Sequence, residues 1–195
     1  MTSVSDILLN CDAMLEGHFL LSSGRHSNRY FQCARLFQFP DKAALALENV
    51  VKTLKKEIEE GRLHIDYVCG PAIGGIIAAY EVARQLGLPA IFTERNEEGA
   101  MSLRRGFSLK PGDKVLLAED VVTTGKSSGE AALALKACGA EIVAEACVVN
   151  RSGKEQPLDW PLYPACTIEA QTWDAKDCPL CKAGSTAIKP GSRKM

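Results

Sequence analysis

Two adjacent carboxylates, Glu119 and Asp120, follow an apolar run of this 195-residue chain. Ionised side chains at the mouth of a buried strand are costly unless something pairs with them, and ligand hydroxyls or a hydrated cation would do so. The residues that follow supply three hydroxyls, a glycine and a lysine before a predicted helix: Thr123, Thr124, Gly125, Lys126 and Ser127. Hydroxyls beside the free N–H groups of a helix N-terminus form a phosphate-binding loop. The pattern therefore predicts a phosphate site next to an acidic pair.

An ordinary helix cap is the alternative interpretation of the same segment, with Ser127 or Ser128 as the N-cap. A cap needs only one hydroxyl and no acidic pair, so it leaves most of the pattern unexplained. A Walker phosphate-binding loop would require its first glycine at position 120, where Asp120 stands, and is excluded.

Helical and strand patterns alternate along most of the chain. Apolar residues recur at helical spacing after Asp41, which predicts a capped amphipathic helix that ends at Gly61. Further strands are predicted over residues 64–69, 90–93, 114–118, 141–150 and 166–173, helices over 76–86 and 129–138, and a polar loop over 94–106. Strands that alternate with helices predict an α/β fold class, an open, mostly parallel twisted sheet flanked by helices.

The loops that follow parallel strands meet at one edge of the sheet, where open α/β folds bind ligands. Four loops should converge there: residues 70–75, 94–106, 119–127 and 151–153. The N-terminal residues lie outside the alternation and are predicted to form a small hood. The predicted organisation is a hood over the base site (1–40), an α/β core (41–165), and a C-terminal strand and tail that close the domain (166–195).

The strand, acidic pair and hydroxyl loop resemble the phosphoribosyl pyrophosphate (PRPP) motif of type I phosphoribosyltransferases. The resemblance implies the fold of that family, with the acidic pair on the ribose hydroxyls and the hydroxyl loop around the 5-phosphate. The implied PRPP-binding residues, including a pyrophosphate loop at 72–74, are Ala72, Ile73, Gly74, Glu119, Asp120, Val121, Val122, Thr123, Thr124, Gly125, Lys126 and Ser127. Lys126 stands where small residues are usual, and it either adds charge to the phosphate or faces solvent.

The segment 17–31 resembles the F-x-L-x-S-G-x-x-S-x-x-Y segment of orotate phosphoribosyltransferases. In this family an arginine after the strand that ends at Asn150 binds the orotate carboxylate, a role that falls to Arg151, whose planar fork matches a carboxylate. The orotate-binding residues implied by the resemblance are Ser23, Gly24, His26, Tyr30, Phe31, Thr123 and Arg151. The alternatives are a β-hairpin without a ligand role and an arginine that caps the sheet edge.

In this family the segment equivalent to residues 94–106 is a mobile catalytic loop that closes over the site of a neighbouring subunit, which implies a homodimer. Familiar members carry lysines and a histidine there, whereas this chain offers Arg95, Arg104 and Arg105. Arginine suits the leaving pyrophosphate because it is always ionised and bidentate. The three arginines and Asp120 form the implied catalytic set. A solvated surface loop with compensating charges is the alternative.

The resemblance implies that orotate and PRPP give orotidine 5-monophosphate and pyrophosphate in pyrimidine (UMP) biosynthesis, with Mg²⁺ bridging diphosphate and ribose oxygens. The alternatives are a purine-type phosphoribosyltransferase and a non-catalytic PRPP-sensing regulator that binds RNA or DNA. The 23 basic and 24 acidic residues give a net charge of −1, which disfavours a nucleic-acid partner.

The chain carries 8 cysteines, most of them in apolar segments, where a reducing compartment would keep them as small core residues. No run reaches 18 apolar residues and no basic leader precedes an apolar core, so we expect a cytoplasmic protein without a membrane partner. Cys178 and Cys181 form a C-x-x-C pair, which is half of a zinc site or a structural turn. Cys166 and another donor, or a second chain, would have to complete the site, because the histidines show no ligand spacing.

Overall fold

The computed structural model describes residues 2–21, 23–154 and 157–190. Ser22, which falls within the predicted orotate-binding segment, and residues 191–195 of the predicted tail lie outside the described residues. No helix in the described ranges combines the length and the apolarity that crossing a membrane requires.

The elements alternate between strands and helices after an N-terminal hairpin. In chain order they are α1 (Val4–Asn10), β1 (Met14–Leu20), β2 (His26–Phe31), α2 (Ala34–Phe37), α3 (Pro40–Glu59), β3 (Tyr67–Pro71), α4 (Gly74–Leu86), β4 (Ala90–Arg95), β5 (Met101–Leu103), β6 (Lys114–Val122), α5 (Lys126–Ala137), β7 (Glu141–Asn150), β8 (Leu162–Thr167), β9 (Thr172–Trp173) and α6 (Pro179–Lys182), with a 3₁₀ turn at Ala175–Asp177. The chain divides into two compact units, Met1–Gln38 with Glu169–Met195, and Phe39–Ile168.

The larger unit contains a six-stranded sheet in the order β5-β4-β3-β6-β7-β8. All neighbouring strands are parallel except β5, which pairs antiparallel with β4 at one edge. The prediction of an α/β fold with a mostly parallel sheet is confirmed. β6, which is buried on both faces over 115–118, lies between β3 and β7, as expected of a strand that is apolar on both faces.

Helices cover both faces of this sheet. Val115 and Leu117 of β6 belong to a buried cluster with Ala131, Ala132 and Leu135 of α5. Side chains alternate along a strand, so Leu116 points to the opposite face, where it is also fully buried. On that side α4 packs against β3, β4 and β6, and α3 packs against α4. The carboxyl ends of five parallel strands therefore lie at one edge of a sheet that is covered by helices on both faces.

The smaller unit is built on a three-stranded antiparallel sheet in the order β1-β2-β9. β1 and β2 form a hairpin, and β9 adds two residues from the C-terminal part of the chain, with Thr172 opposite Ser27 and Trp173 opposite His26. A further bridge joins Phe19 to Ile188. The N-terminal and C-terminal segments are thus parts of one unit.

Three predicted elements differ from those observed. α3 begins at Pro40, whose fixed φ suits the first helical position, so Asp41 lies in the first turn and is not the cap. Residues 94–106 are not a loop throughout, because β4 continues to Arg95 and β5 returns beside it as a hairpin.

The single strand predicted over 166–173 is two strands in different sheets. β8 ends at Thr167, which pairs with Asn150 at the end of β7, so no partner strand remains beyond it. The chain then contributes β9 to the smaller unit. Local apolar patterning cannot show such a change of partner, because both pieces have the same strand character.

Candidate functional site

The acidic pair lies within β6 itself, near its carboxyl end, and does not follow the strand as predicted. β6 pairs with β7 as far as Val122, whereas its pairing with β3 ends at Leu117, so the last part of β6 is covered on one side only. Glu119 is nevertheless 8% exposed. The Asp120 amide donates to Glu119 Oε2 at 3.2 Å, and the Val121 amide donates to Asp120 Oδ1 at 2.8 Å.

Both carboxyl groups are held in an environment that disfavours their charge. Burial is the main cause that raises the pKa of Glu119, to about 9, and the adjacent Asp120 charge raises it further. Burial also raises the pKa of Asp120. Titratable groups with such shifts in a cleft are characteristic of functional sites. The pair is suited to accept hydrogen bonds from ligand hydroxyls, which would replace the lost hydration.

The loop before α4 closes against the acidic pair. A Cβ atom on Gly74 would overlap the Asp120 carboxylate, and one on Gly75 would lie 2.9 Å from the Ala118 carbonyl oxygen. Glycine is therefore required at both positions by close approach of the α4 N-terminus to β6. The structure thus brings the predicted pyrophosphate loop, residues 72–74, next to Asp120; its Ala72–Ile73 peptide bond is cis.

The hydroxyl loop leads into α5 through Gly125, which is the N-cap with φ of 73°. Glycine has no side chain with which to cap the helix, and the Lys126 amide donates to Thr124 Oγ1 at 3.4 Å, so the start of α5 combines backbone N–H groups with loop hydroxyls, as anion-binding loops do. Ser127 and Ser128 lie inside α5, so the alternative that one of them is the N-cap is wrong. The loop encloses a pocket of about 130 Å³ lined by Glu119 and residues 121–128. This geometry is that of an anion site.

Lys126 extends away from this loop. Its side chain is 77% exposed, and its Nζ lies 3.9 Å from Glu130, one turn along α5. Lys126 was predicted either to add charge to the phosphate or to face solvent, and in the structure its side chain faces solvent.

Glu145 is a buried residue of the site that the sequence reasoning missed. It lies on β7 and is fully buried, and it accepts hydrogen bonds from Ser128 Oγ at 2.6 Å and Trp160 Nε1 at 3.0 Å. Burial raises the pKa of its carboxyl group. The bond to Ser128 ties the first turn of α5 to the sheet and so positions the phosphate loop. An acidic residue within the apolar run 142–149 was the available signal.

The arginines of the β4–β5 hairpin form ion pairs with nearby carboxylates. Arg95 donates to Glu130 Oε2 at 2.5 Å, and Arg105 donates through Nε and Nη2 to the two oxygens of Glu94 at 2.8 and 2.9 Å. Arg104 Nη1 lies 3.9 Å from the same Glu94. The compensating charges of the surface-loop alternative are present, and the catalytic role of these arginines stays a prediction.

Arg151 lies at the same sheet edge as the hydroxyl loop. It follows β7, and its amide donates to the carbonyl oxygen of Val122 at 2.8 Å, one residue before Thr123. Burial lowers the pKa of its guanidinium group. A partly desolvated cation beside a phosphate loop is suited to bind a second anionic group.

The other predicted orotate-binding residues belong to the smaller unit. Ser23 and Gly24 are exposed in the β1–β2 turn, and the Tyr30 hydroxyl donates to Gln32 Oε1 at 3.0 Å. His26 is buried, with Nδ1 2.8 Å from His18 Nε2. Contact of these residues, and of Phe31, with orotate stays a prediction.

The C-x-x-C pair has neighbours that its sequence spacing did not reveal. His18 and His26 show no metal-ligand spacing in the sequence. In the structure they lie with Cys178 and Cys181 in one cluster whose ligand atoms are all within 4.8 Å of one another. Cys166, which was the expected third ligand, lies on β8, where its Sγ donates to the Val148 carbonyl oxygen at 3.3 Å.

Known proteins resemble the chain over most of its length. Residues 42–177 match the family model of the phosphoribosyl transferase domain. An orotate phosphoribosyltransferase of Carboxydothermus hydrogenoformans is 48% identical over 188 residues, which cover 96% of each protein.

Solved structures share the fold at lower identity. A crystal structure of orotate phosphoribosyltransferase from Aeropyrum pernix aligns with a TM-score of 0.72 at 24% identity, over 85% of this chain and 93% of that one. The UMP synthase of Leishmania donovani aligns with a TM-score of 0.69 at 23% identity, over 85% of this chain and 36% of that one.

Proposed function

The chain belongs to the phosphoribosyl transferase domain family and, within it, to the orotate phosphoribosyltransferases, and from this premise we propose how its residues perform the transfer. The reaction joins orotate to the phosphoribosyl group of PRPP, giving orotidine 5-monophosphate and pyrophosphate in pyrimidine biosynthesis. The observation that carries our assignment of the site is the buried acidic pair of β6, which leads directly into an uncapped helix N-terminus.

PRPP binds along the carboxyl end of β6. Glu119 and Asp120 accept hydrogen bonds from the ribose 2- and 3-hydroxyls, and residues 123–127 surround the 5-phosphate with hydroxyls and the α5 amides. Val121 and Val122 carry the backbone between these two subsites. Residues 72–74 lie against the pyrophosphate, which is supported by their approach to Asp120.

The transfer breaks the bond from ribose C1 to the diphosphate oxygen and forms a bond from C1 to the orotate nitrogen, which loses its proton. Because charge develops on the ribose ring and on the leaving diphosphate, rate depends on alignment and on cations near the leaving group. Arg95, Arg104 and Arg105 supply these cations after exchanging their carboxylate partners for diphosphate. Closure of residues 94–106 excludes water, which would otherwise hydrolyse the sugar.

Magnesium fits the chemistry of this site. The donors near the sugar are carboxylate oxygens, the ligand type that Mg²⁺ prefers, and two buried carboxyl groups with raised pKa values gain from a nearby cation. Most of its ligands would come from PRPP, with Glu119 and Asp120 adjacent. When bound, the ion supplies charge neutralisation to the diphosphate.

Orotate is selected by its carboxylate. Arg151 lies beside Thr123 at the sheet edge, where a bidentate pair with the orotate carboxylate would reject uracil, which lacks that group. Ser23, Gly24, His26, Tyr30 and Phe31 are proposed to cover the base. A purine-type activity and a PRPP-sensing regulator are the alternatives from the sequence, and the 48% identity to an orotate phosphoribosyltransferase disfavours both.

The base specificity is tested by measuring consumption of orotate, uracil, hypoxanthine and adenine separately with PRPP and Mg²⁺. We expect loss of orotate only, dependent on PRPP, and at least tenfold slower in Asp120→Asn. Consumption of a purine would contradict the assignment, and PRPP binding without turnover of any base would support the regulator.

We propose that two copies of the chain form a dimer, as the shared loop requires. α4 carries two exposed apolar side chains one turn apart, Ile77 at 44% and Tyr80 at 63%, and a second copy would cover them. Tyr80→Glu should shift the protein toward monomer in sedimentation velocity. Leu133→Glu, at an exposed apolar position on α5, should leave the dimer intact, and dissociation by that control would move the interface to α5.

Sharing of the loop between subunits is testable by mixing two inactive dimers. One carries Arg104→Ala with Arg105→Ala, and the other carries Asp120→Asn. If the loop serves the neighbouring subunit, mixed dimers contain one intact site and turnover returns. If the loop serves its own subunit, both sites of a mixed dimer stay defective.

A cytoplasmic location is also proposed. It is supported by the thiol state of all eight cysteines, none of which forms a disulfide in the described residues. Fractionation of cells that express the tagged full-length chain tests this location, and recovery with membranes would contradict it.

A further inference from the structure

Four side chains of types that bind metal ions converge on one point of the smaller unit. His18 Nε2 lies 2.8 Å from His26 Nδ1, 3.4 Å from Cys178 Sγ and 3.7 Å from Cys181 Sγ. Cys181 Sγ is also 3.3 Å from His26 Nδ1. A ring nitrogen makes one strong hydrogen bond, so three groups around His18 Nε2 exceed what hydrogen bonding alone can use. Their arrangement is that of donors around a common ligand.

We propose that these four residues bind one zinc ion, as the tetrahedral ligand set His18, His26, Cys178 and Cys181. Bonds of about 2.0 Å to nitrogen and about 2.3 Å to sulfur place tetrahedral N and S ligands roughly 3.5 Å apart. Three of the four N···S separations, 3.3, 3.4 and 3.7 Å, bracket that value, and all the ligand atoms lie within 4.8 Å of one another. The two imidazoles would separate by about half an ångström from their hydrogen-bond distance on binding.

The donor set and its surroundings select zinc over hard cations. Two thiols and two imidazoles are soft or borderline ligands, whereas Mg²⁺ and Ca²⁺ require oxygen. His18 is 6% and His26 9% exposed, Cys178 is fully buried and Cys181 is half-buried, so most of the cluster is shielded from water. The other ring nitrogen of His18, Nδ1, lies 3.1 Å from Ser185 Oγ, the kind of contact that orients a ligating imidazole.

The strand pairing of the smaller unit explains how distant residues form this set. Leu20 pairs with His26 across the hairpin, and the register of β1 shifts between Glu16 and Phe19, so His18 lies in an irregular stretch two residues before Leu20. There its Nε2 comes within 2.8 Å of His26 Nδ1. Trp173 of β9 pairs with His26 on its other side and leads into the C-x-x-C turn. The predicted C-x-x-C half site is thus completed by the hairpin.

The role of the ion is structural. All four ligands come from the protein, which leaves no open position for a substrate. The C-terminal segment is also held to the hairpin by the two-residue strand β9, by hydrogen bonds from Arg25 and Arg29 to its carbonyl oxygens and by the bonds between Ile188 and β1. The ion would add a tie at the C-x-x-C turn. Binding displaces the two thiol protons to solvent and joins segments about 150 residues apart in sequence. In this arrangement His26 holds the hairpin through Nδ1, which is then not available to orotate.

Zinc content of the full-length protein tests the proposal. The protein is saturated with zinc, gel-filtered without chelator and measured by metal analysis, and we expect one zinc per chain. Cys181→Ser and His26→Ala should each reduce retained zinc at least tenfold. Cys138→Ser and His64→Ala, which change an exposed thiol and an exposed imidazole elsewhere, should retain it fully.

A second measurement needs no variant and covers the case that the altered proteins do not fold. Apo wild-type protein titrated with Co²⁺ should develop the visible absorption of a tetrahedral thiolate site, saturating at one equivalent, and zinc should raise the midpoint of thermal unfolding. The proposal is overturned if saturated wild-type protein retains less than a tenth of an equivalent, if the control variants lose zinc equally, or if Cys178 and Cys181 are found as a disulfide in the zinc-saturated protein. Orotate turnover is measured separately, so failure of either result leaves the other interpretable.

Discussion

Replacing Glu119 with glutamine should stabilise the ligand-free protein while it damages the site. Burial and the Asp120 charge raise the pKa of Glu119 from 4.5 to about 9. Because the folded-state pKa exceeds the unfolded value, the stability from this group is full below pH 4.5 and is lost as the pH rises through 9. The loss amounts to about 1.4 kcal/mol per pH unit, or about 3 kcal/mol at pH 7. Glutamine does not titrate and avoids it.

The assay is urea unfolding of wild type and Glu119→Gln at several pH values between 5 and 8, without PRPP or Mg²⁺. The stability advantage of the variant should grow with pH along the slope given above, and its affinity for PRPP should fall about tenfold or more, because the amide accepts ribose hydroxyls more weakly than a carboxylate. Glu59→Gln, at an exposed position of α3, is the matched control and should show little pH-dependent difference. A stability difference between wild type and Glu119→Gln that is the same at pH 5 and pH 8 would refute the reasoning.

Three further variants test other parts of the site. Arg104→Ala with Arg105→Ala should lower kcat far more than it weakens PRPP binding, and equal loss in both would indicate ground-state attraction only. Ser128→Ala should cost about 1–3 kcal/mol in urea unfolding, because buried Glu145 loses a donor at 2.6 Å, and an unchanged midpoint would contradict that role. Gly74→Ala places a Cβ against the Asp120 carboxylate and should raise the KM for PRPP roughly tenfold to a hundredfold, whereas wild-type kinetics would show that the α4 N-terminus does not constrain that carboxylate.

The sheet and the position of the hydroxyl loop at its edge were predictable because their signals are local. The first part of β6 is apolar on both faces, which is typical of a central strand. The hydroxyl-rich residues 123–127 follow it, and the loops after parallel strands meet at one edge of a sheet, so the place of this loop could also be predicted. The predicted end of this strand was wrong, because β6 continues beyond residue 118 through the acidic pair to Val122. Pairing with β7, a long-range contact, sets that limit.

The residues that were missed depend on contacts between segments far apart in the sequence. Glu145 resembles an ordinary strand residue until Ser128 and Trp160 are seen to donate to it. His18 and His26 have no ligand spacing in the sequence, since strand register and the addition of β9 bring them to Cys178 and Cys181. Predicting a single strand over 166–173 merged β8 and β9, so the pairing of β9 with β2 could not be foreseen.

The account depends most on the claim that the carboxyl end of β6 holds the phosphoribosyl group. A crystal structure of the chain with orotidine 5-monophosphate tests it directly. The account predicts ribose hydroxyls on Glu119 and Asp120, the 5-phosphate within residues 123–127, and the orotate carboxylate on Arg151. A nucleotide bound with its phosphate elsewhere, or with the acidic pair free of the ribose, would contradict it.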